Sequence, residues 1–432
     1  MIKYFLILFL IFFLNNCSFG DRAGIWSQNE SLQSSNQKIE TLFEKKEITK
    51  NEFNPNFLIN TPLKLINKKS KYKSNNYGFL NKNLNFEKIS RYKYSKISNF
   101  SYFDPTLVFY ETDLVFFDNK GSILRFDDNS KIIWKKNYYT KAEKKNLPIL
   151  NFSIKGKKLI ITDNLSKYYS LDLDTGKMLW KKSHNTNFIS EIKIDSDKFY
   201  VIDSNNVINC FSTKDGSKIW EFKTDFELIK SQKKLSIVYD KQNVYFFNTT
   251  GNLYSLDKSN GNLVWITPTK DTDDFFESFL FRTSKILLEE NQLFFSNNQN
   301  TFFSIDKNSG IINWTHNINS EIKPIVVDNM IFTISSEGLF FVIDKISGNI
   351  LRITDIFSQY KKKKRNKIKP SGIVIDLSKV YLTLDNGKIM VINLNNGKTD
   401  SIFKITRGKI SQPFINNDHL FVVKDNEIIK LN

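Results

Sequence analysis

The sequence predicts an all-β protein, an eight-bladed β-propeller whose blades are four-stranded antiparallel sheets. Three observations lead to this fold class. A pattern of alternating strands and turns recurs eight times, the copies are spaced as propeller blades are, and the last copy is shorter than the others. We expect the propeller to occupy residues 86–432.

The clearest copy of the repeat runs from Asn243 to Trp265 and reads NVYFFNTTGNLYSLDKSNGNLVW. Apolar residues tend to recur at every second position of its three runs, which is typical of strands with one buried face, and Asn, Asp, Ser and Gly supply the turns. Successive copies close 38 to 49 residues apart, enough for a four-stranded blade. Five copies close with a tryptophan: Trp134, Trp180, Trp220, Trp265 and Trp314.

In four of these copies a glycine follows an Asx-rich turn and precedes the tryptophan by four residues. Such a turn needs a positive φ, which glycine adopts without strain. The tryptophan then falls on the outer strand, where its indole can lie between adjacent blades and bury about 150–250 Å². We predict that all five tryptophans pack between blades. Two further copies end in Arg352 and Ser401 instead.

The final copy, LFVVKDNEIIKLN, stops after only two strands. A ring whose last blade lacks its outer strand can close only if an upstream segment supplies one. The segment from Phe86 to Ile97, FEKISRYKYSKI, directly precedes the first copy. We expect this N-terminal strand to complete the last blade, which leaves no free sheet edge at the join.

The first residues have the features of an export signal: a charged residue, an apolar run from Tyr4 to Leu14, and then Cys17. A helix of that length rises only about 16 Å, against a hydrocarbon core of about 30 Å. The region resembles the lipobox of bacterial lipoproteins, which implies removal of residues 1–16, lipidation of Cys17 and, with Ser18 next, an outer-membrane destination. The alternative is an ordinary secretory peptide cut near Gly20.

Residues 17–85 are rich in Ser, Asn, Lys and Gln and carry no strand repeat. We expect a flexible tether between lipid and ring. Within it, residues 36–46 could form a short helix, because Ile39, Leu42 and Phe43 have helical spacing.

The formal charge of +18 does not by itself indicate nucleic-acid binding, because the lysines are spread over the whole chain. We expect the sharpest basic cluster, Lys361–Arg365, to be a solvated loop, with an anionic lipid or an acidic partner as the alternative. If Cys17 carries lipid, Cys210 is the one thiol left, and no intramolecular disulfide can form.

Residues with catalytic potential form no motif in this sequence. Cys210 lies among apolar residues and is expected to be a buried, inert thiol. His184, His316 and His419 fall in distant repeats without the spacing of metal ligands. We therefore predict neither an enzyme nor a protein with a cofactor or bound metal.

Copies such as YSLDLDTGKMLW and YSLDKSNGNLVW resemble the repeat of the pyrroloquinoline-quinone dehydrogenases and of the outer-membrane assembly factor BamB family. Together with Cys17, the eight copies look most like the latter. That resemblance implies an accessory lipoprotein of the β-barrel assembly machinery, a monomer within a complex, docked on the periplasmic domains of BamA. A dehydrogenase of the quinone family, or another periplasmic propeller enzyme, is the alternative.

In the BamB family the partner binds through loops near the fourth and fifth blades. By position these loops would be residues 224–234 and 270–282 here. Leu228, Asp273 and Asp274 are the candidate contacts, chosen by position and expected exposure.

Overall fold

The structure is a computed structural model that describes residues 51–59, 78–80, 83–98, 100, 104–225, 233–270 and 281–432. Within this part of the chain, 32 strands form eight separate four-stranded antiparallel sheets. The predicted eight-bladed propeller is confirmed. Cys17 and the predicted helix at residues 36–46 lie outside the described residues.

Seven blades take their four strands consecutively from the chain, and the first strands of blades 1 to 5 contact one another in succession. Blade 1 consists of β2 (Val108–Tyr110), β3 (Asp113–Phe117), β4 (Ile123–Phe126) and β5 (Ile132–Lys136), and blade 2 of β6 (Leu150–Lys155), β7 (Lys158–Asp163), β8 (Lys167–Asp172) and β9 (Met178–Ser183). Blade 3 consists of β10 (Lys193–Asp195), β11 (Lys198–Ile202), β12 (Val207–Ser212) and β13 (Lys218–Lys223). Blade 4 consists of β14 (Ile237–Tyr239), β15 (Asn243–Phe247), β16 (Asn252–Asp257) and β17 (Leu263–Pro268).

Blades 5 to 7 continue in the same order, and blade 8 takes its outer strand from upstream of blade 1. Blade 5 consists of β18 (Leu287–Glu289), β19 (Gln292–Ser296), β20 (Phe302–Asp306) and β21 (Ile312–His316), and blade 6 of β22 (Ile325–Val327), β23 (Met330–Ile334), β24 (Leu339–Asp344) and β25 (Ile350–Asp355). Blade 7 consists of β26 (Pro370–Ile375), β27 (Lys379–Leu384), β28 (Lys388–Asn393) and β29 (Thr399–Lys404). Blade 8 consists of β30 (Phe414–Asn416), β31 (His419–Val423), β32 (Glu427–Leu431) and β1 (Lys88–Lys93).

The middle strands of a blade are buried on both faces, whereas the sequence pattern predicted one buried face. In β16 four successive residues, from Leu253 to Leu256, are buried. The reason is that each blade packs between two neighbours. The outer strand β17 does alternate, with Trp265 and Thr267 buried and Val264 and Ile266 exposed.

Strand β1 closes the ring, as predicted. It pairs antiparallel with β32 from Lys93 opposite Glu427 to Lys88 opposite Leu431. The join continues past the strand, because the Phe86 N–H donates to the Asn432 carbonyl at 2.7 Å. The last sheet therefore has the same four strands as the other seven.

Residues 51–59 lie along the outer edge of blades 6 and 7. Phe53 forms an antiparallel bridge with Ile353 of β25, with N···O distances of 3.1 and 2.9 Å. The Ile59 N–H donates to the Asn395 carbonyl at 3.1 Å. These residues fall within the predicted tether of residues 17–85, yet they are bonded to the ring.

A second segment, residues 78–80, lies in the axial channel. Phe79 forms a parallel bridge with Ile375 of β26, the innermost strand of blade 7. The Leu80 N–H donates to the Ile375 carbonyl at 2.9 Å, and the Ile375 N–H donates to the Gly78 carbonyl at 2.6 Å. Leu80 is fully buried. This part of the predicted tether also belongs to the folded unit.

Helical structure after residue 100 is limited, in the described part of the chain, to two short helices between blades: α1 (Lys141–Lys145) and α2 (Lys362–Arg365). Thr140 and Glu143 form a capping box that begins α1. The basic cluster predicted as a solvated loop forms α2, and Arg365 is paired with Asp355 at 2.8 Å. No described helix has the length and apolar character needed to cross a bilayer.

Candidate functional site

The predicted tryptophans lie at the seams between neighbouring blades. A Cβ built on Gly261 of blade 4 would stand 2.7 Å from the Trp220 ring of blade 3, and one on Gly216 would stand 2.6 Å from the Trp180 ring. The φ angle of Gly261 is +79°. Glycine is therefore required at this turn for two reasons. It adopts the positive φ without strain, and a side chain in its place would displace the indole.

Hydrogen bonds join the same seams. The indole Nε1 atoms of Trp134, Trp180, Trp220 and Trp265 donate to carbonyl oxygens of the next blade at 2.8, 3.2, 3.2 and 3.0 Å, on Leu173, Thr213, Lys258 and Lys307 respectively. Trp314 contacts Gly348 in the same way, but its buried Nε1 has no hydrogen-bond partner among the described residues.

Other residue types contribute at two further seams. Arg352 is fully buried; its guanidinium faces Gly397 and donates to the Leu394 carbonyl at 3.0 Å. At the seam between blades 8 and 1, the Tyr92 hydroxyl donates to the Asp128 carbonyl at 3.1 Å. The repeat already aligned Arg352 with the tryptophans, whereas Tyr92 lies two residues beyond Ser90, the residue of β1 that pairs as the tryptophans do.

The thiol and the imidazoles do not come together. Cys210 is buried in β12, and burial raises the pKa of its thiol to about 12, so the unreactive protonated form persists at neutral pH. His184 Nε2 lies 2.8 Å from Asp203 Oδ2, whereas His316 and His419 lie in β21 and β31. Among the described residues, no three acidic, cysteine or histidine side chains could hold a metal ion together.

The axial channel opens at the end of the ring where the innermost strands begin. A cavity of about 350 Å³ in this mouth is lined by residues of blades 1, 3, 5, 6, 7 and 8 and by Gly78. Lys193, Lys285, Lys323 and Glu191 supply its charged lining. The apolar lining includes Pro105, Leu107, Ile286, Pro324, Ile325 and Phe414.

Each carboxylate of the mouth is held by a lysine. Lys193 Nζ lies 3.1 Å from Glu191 Oε2, and Lys285 Nζ lies 3.5 Å from Asp104 Oδ2. The second oxygen of Glu191 accepts a hydrogen bond from Ser236 Oγ at 3.2 Å. The carboxylates therefore fix lysines in place and are poor candidates for general acids or bases.

Positive charge predominates in the mouth and shifts the pKa values of the groups there. Burial by itself raises the pKa of Glu191, but Lys193, Lys285 and Lys234 outweigh it, and the pKa falls to about 2. Burial and the neighbouring cations Lys193 and Lys285 lower the pKa of Lys323 to about 7. Burial lowers the pKa of Lys234 to about 8. A positive field in a partly desolvated cavity attracts anions.

Leu228, Asp273 and Asp274, the predicted partner contacts, lie outside the described residues. Described residues at the ends of these two loops meet at the mouth. Lys233 Nζ and Arg282 Nη1 lie 3.6 and 3.8 Å from the same carboxylate oxygen of Glu321. Both loops are therefore attached at the rim of the axial channel.

The mouth was not predicted from the sequence, although one signal of it was present. The tetrapeptide Ser-Glu-Ile-Lys occurs at residues 190–193 and again at 320–323, each time at an innermost strand. Ser190 and Ser320 are buried and bond to their own blades, to the Ile202 N–H and the Ile334 carbonyl, both at 2.8 Å. These bonds position the following Glu and Lys at the channel entrance.

Comparison with solved structures confirms the fold. BamB from Moraxella catarrhalis matches with a TM-score of 0.65 and 14% identity, over 80% of this chain and 99% of that one. Quinohemoprotein alcohol dehydrogenase from Comamonas testosteroni matches with a TM-score of 0.62 and 9% identity, over 83% and 79%. The designed protein Ika8 matches with a TM-score of 0.62 and 11% identity, over 80% and 99%. At these identities the likeness shows the fold alone.

Comparison of sequences identifies the family. No curated protein matches the chain. A family model described as outer membrane protein assembly factor BamB matches residues 119–354, which is more than half of the 432 residues. The protein therefore belongs to the BamB family.

Proposed function

We propose that this protein is a non-catalytic scaffold lipoprotein of the outer-membrane β-barrel assembly machinery, docked on the periplasmic domains of a BamA-like protein. The match of the BamB family model to residues 119–354 carries the proposal. Under the same proposal the protein lies on the periplasmic side of the outer membrane, carries a lipid on Cys17 and has no nucleic-acid partner.

The shape of the ring supports a docking role. Its blades are joined by buried seams and by a closing strand, so the loops project from a rigid body. The loops of residues 224–234 and 270–282 begin and end on neighbouring blades at one face, where Lys233 and Arg282 share Glu321. Loops held close together on a rigid scaffold are a common form of protein-binding surface.

A quinone-dependent dehydrogenase is the second reading, because such an enzyme shares the fold. The donor set of the channel does not fit a calcium and quinone centre. Glu191 and Asp104 are each paired with a lysine, and Cys210 lies buried in β12. The chain's own Gly78 to Leu80 also occupies the inner edge of blade 7. We therefore favour the scaffold.

Docking can be tested with the triple variant Leu228→Ala, Asp273→Ala, Asp274→Ala. We expect it to retain less than about a tenth of the BamA-like protein that the wild type retains on affinity purification from the native envelope, since a central contact contributes 2 kcal/mol or more. The matched control is Ile346→Ala, Asp197→Ala, Asp400→Ala, which removes exposed side chains from the opposite turns and the outer strand.

The control variant should co-purify with the partner as the wild type does. Full recovery of the partner by the triple loop variant would exclude these loops as the docking surface. Failure of the wild type to retain any component of the assembly machinery would contradict the scaffold role itself.

The lipid anchor has a separate test. Cys17→Ser should move the protein from the membrane fraction to the soluble periplasmic fraction and abolish incorporation of radiolabelled palmitate, because the thiol is the acceptor of the lipid. A wild type that takes up no palmitate would favour the alternative, an ordinary secretory peptide cut near Gly20.

A further inference from the structure

The charged lining of the axial mouth is mainly positive, with three lysines and one carboxylate. Blades 3, 5 and 6 each contribute one lysine to the cavity lining: Lys193, Lys285 and Lys323. Lys193 is more than nine-tenths buried. Its partner Glu191 is the one carboxylate among the residues that line the cavity, and Lys285 is paired with Asp104 beside it.

Burying cations next to one another lowers stability, and natural proteins retain such groups mainly at functional sites. The depressed pKa of Lys323 reflects that cost, because both burial and the charges of Lys193 and Lys285 act against its protonation. An anionic ligand would reverse the unfavourable field by adding negative charge between the three ammonium groups.

The cavity also has an apolar side. Pro105 and Leu107 of the approach to β2, Ile286 before β18, and Ile325 of β22 face the same space as the lysines. A volume of about 350 Å³ is within the range of sites for small organic molecules and larger than a simple inorganic anion needs. The lining is thus suited to a molecule with a charged end and an apolar body.

We propose that this mouth binds a small organic dianion, whose charged head lies between Lys193, Lys285 and Lys323 and whose apolar body lies against Leu107, Ile286 and Ile325. Lysine ammonium groups bind phosphate and carboxylate as point charges, so both head groups are compatible with the site. The three lysines are not among the candidate docking residues, and the proposal does not rest on the scaffold role.

The test uses the purified full-length protein and isothermal titration calorimetry near pH 7. The probes are phenyl phosphate, phthalate, inorganic phosphate and phenol. We expect phenyl phosphate or phthalate to bind at least about tenfold more tightly than inorganic phosphate, and phenol not to bind, because the head and the body each contribute. The tighter of the two organic dianions identifies the head group.

Variants separate this site from binding elsewhere on a basic protein. Lys193→Gln and Lys323→Gln should each weaken binding at least about tenfold, because each removes a charged hydrogen bond. Lys404→Gln, an equal loss of charge on the exposed outer strand β29, should leave binding unchanged. Lys323→Gln should also keep or raise the melting temperature, since it removes a buried cation.

Three results would overturn the proposal. The first is an absence of binding by both organic dianions. The second is equal affinity for inorganic phosphate and phenyl phosphate, which would remove the role of the apolar wall. The third is binding that Lys323→Gln and Lys404→Gln weaken to the same extent, which would indicate a general response to net charge.

Discussion

A variant that starts at Tyr94 and so lacks strand β1 should lose the closed monomeric ring. It removes the whole ladder with β32, from Lys93 opposite Glu427 to Lys88 opposite Leu431, together with the fully buried Tyr92. Burial of one large aromatic side chain already contributes about 3–5 kcal/mol, and the bared edge of β32 is a template for intermolecular pairing. We expect a loss of more than about 5 kcal/mol and the formation of oligomers.

Thermal unfolding and light scattering provide the measurement. The control starts at Gly78, so that it lacks the upstream residues but keeps both the axial segment and β1. A synthetic peptide of residues 83–98 added to the strandless variant should restore much of the melting temperature, since ligands that bind the folded state stabilise it. Equal melting temperatures and equal masses for the two truncated proteins would contradict a closing role for β1.

Trp220→Ala should lower the free energy of unfolding by about 3–5 kcal/mol. The variant leaves a cavity between blades 3 and 4 and removes the hydrogen bond from Nε1 to the Lys258 carbonyl at 3.2 Å. The measurement is urea denaturation followed by circular dichroism. Trp314→Ala is the matched comparison, and it should cost about 1 kcal/mol less because its indole N–H has no described partner to lose.

A second variant tests the same seam from the opposite side. Gly261→Ala places a methyl group 2.7 Å from the Trp220 ring at a φ of +79°. A protein with both Trp220→Ala and Gly261→Ala should therefore lose less free energy of unfolding than the sum of the two single losses. The reason is that either substitution alone already disrupts the contact. Two results would contradict the packing role of Trp220: additive losses of free energy, or a Trp220→Ala protein that melts at the wild-type temperature.

The ring could be predicted because its signals are local in the sequence. Turn residues such as Gly261 and alternating runs such as the one ending at Trp265 repeat within each copy, and a missing final strand is visible by counting. The burial of β16 on both faces was not predicted, because the alternation of a single strand does not report the neighbouring blades.

The mouth could not be predicted because its parts are far apart in the chain. Lys193, Lys285 and Lys323 come together only after the blades have closed around the axis. The axial segment was missed for a different reason. Gly78, Phe79 and Leu80 have no repeat of their own and take their conformation from the exposed inner edge of β26.

The contacts of residues 51–59 also affect how the molecule responds to mechanical tension. A pull from the upstream chain reaches the bridge between Phe53 and Ile353 first, then the Ile59 bond to Asn395, and then the axial segment at Ile375. Each of these attachments consists of one or two backbone hydrogen bonds. Force applied from the upstream side would therefore load these few bonds before it loaded the ladder of β1.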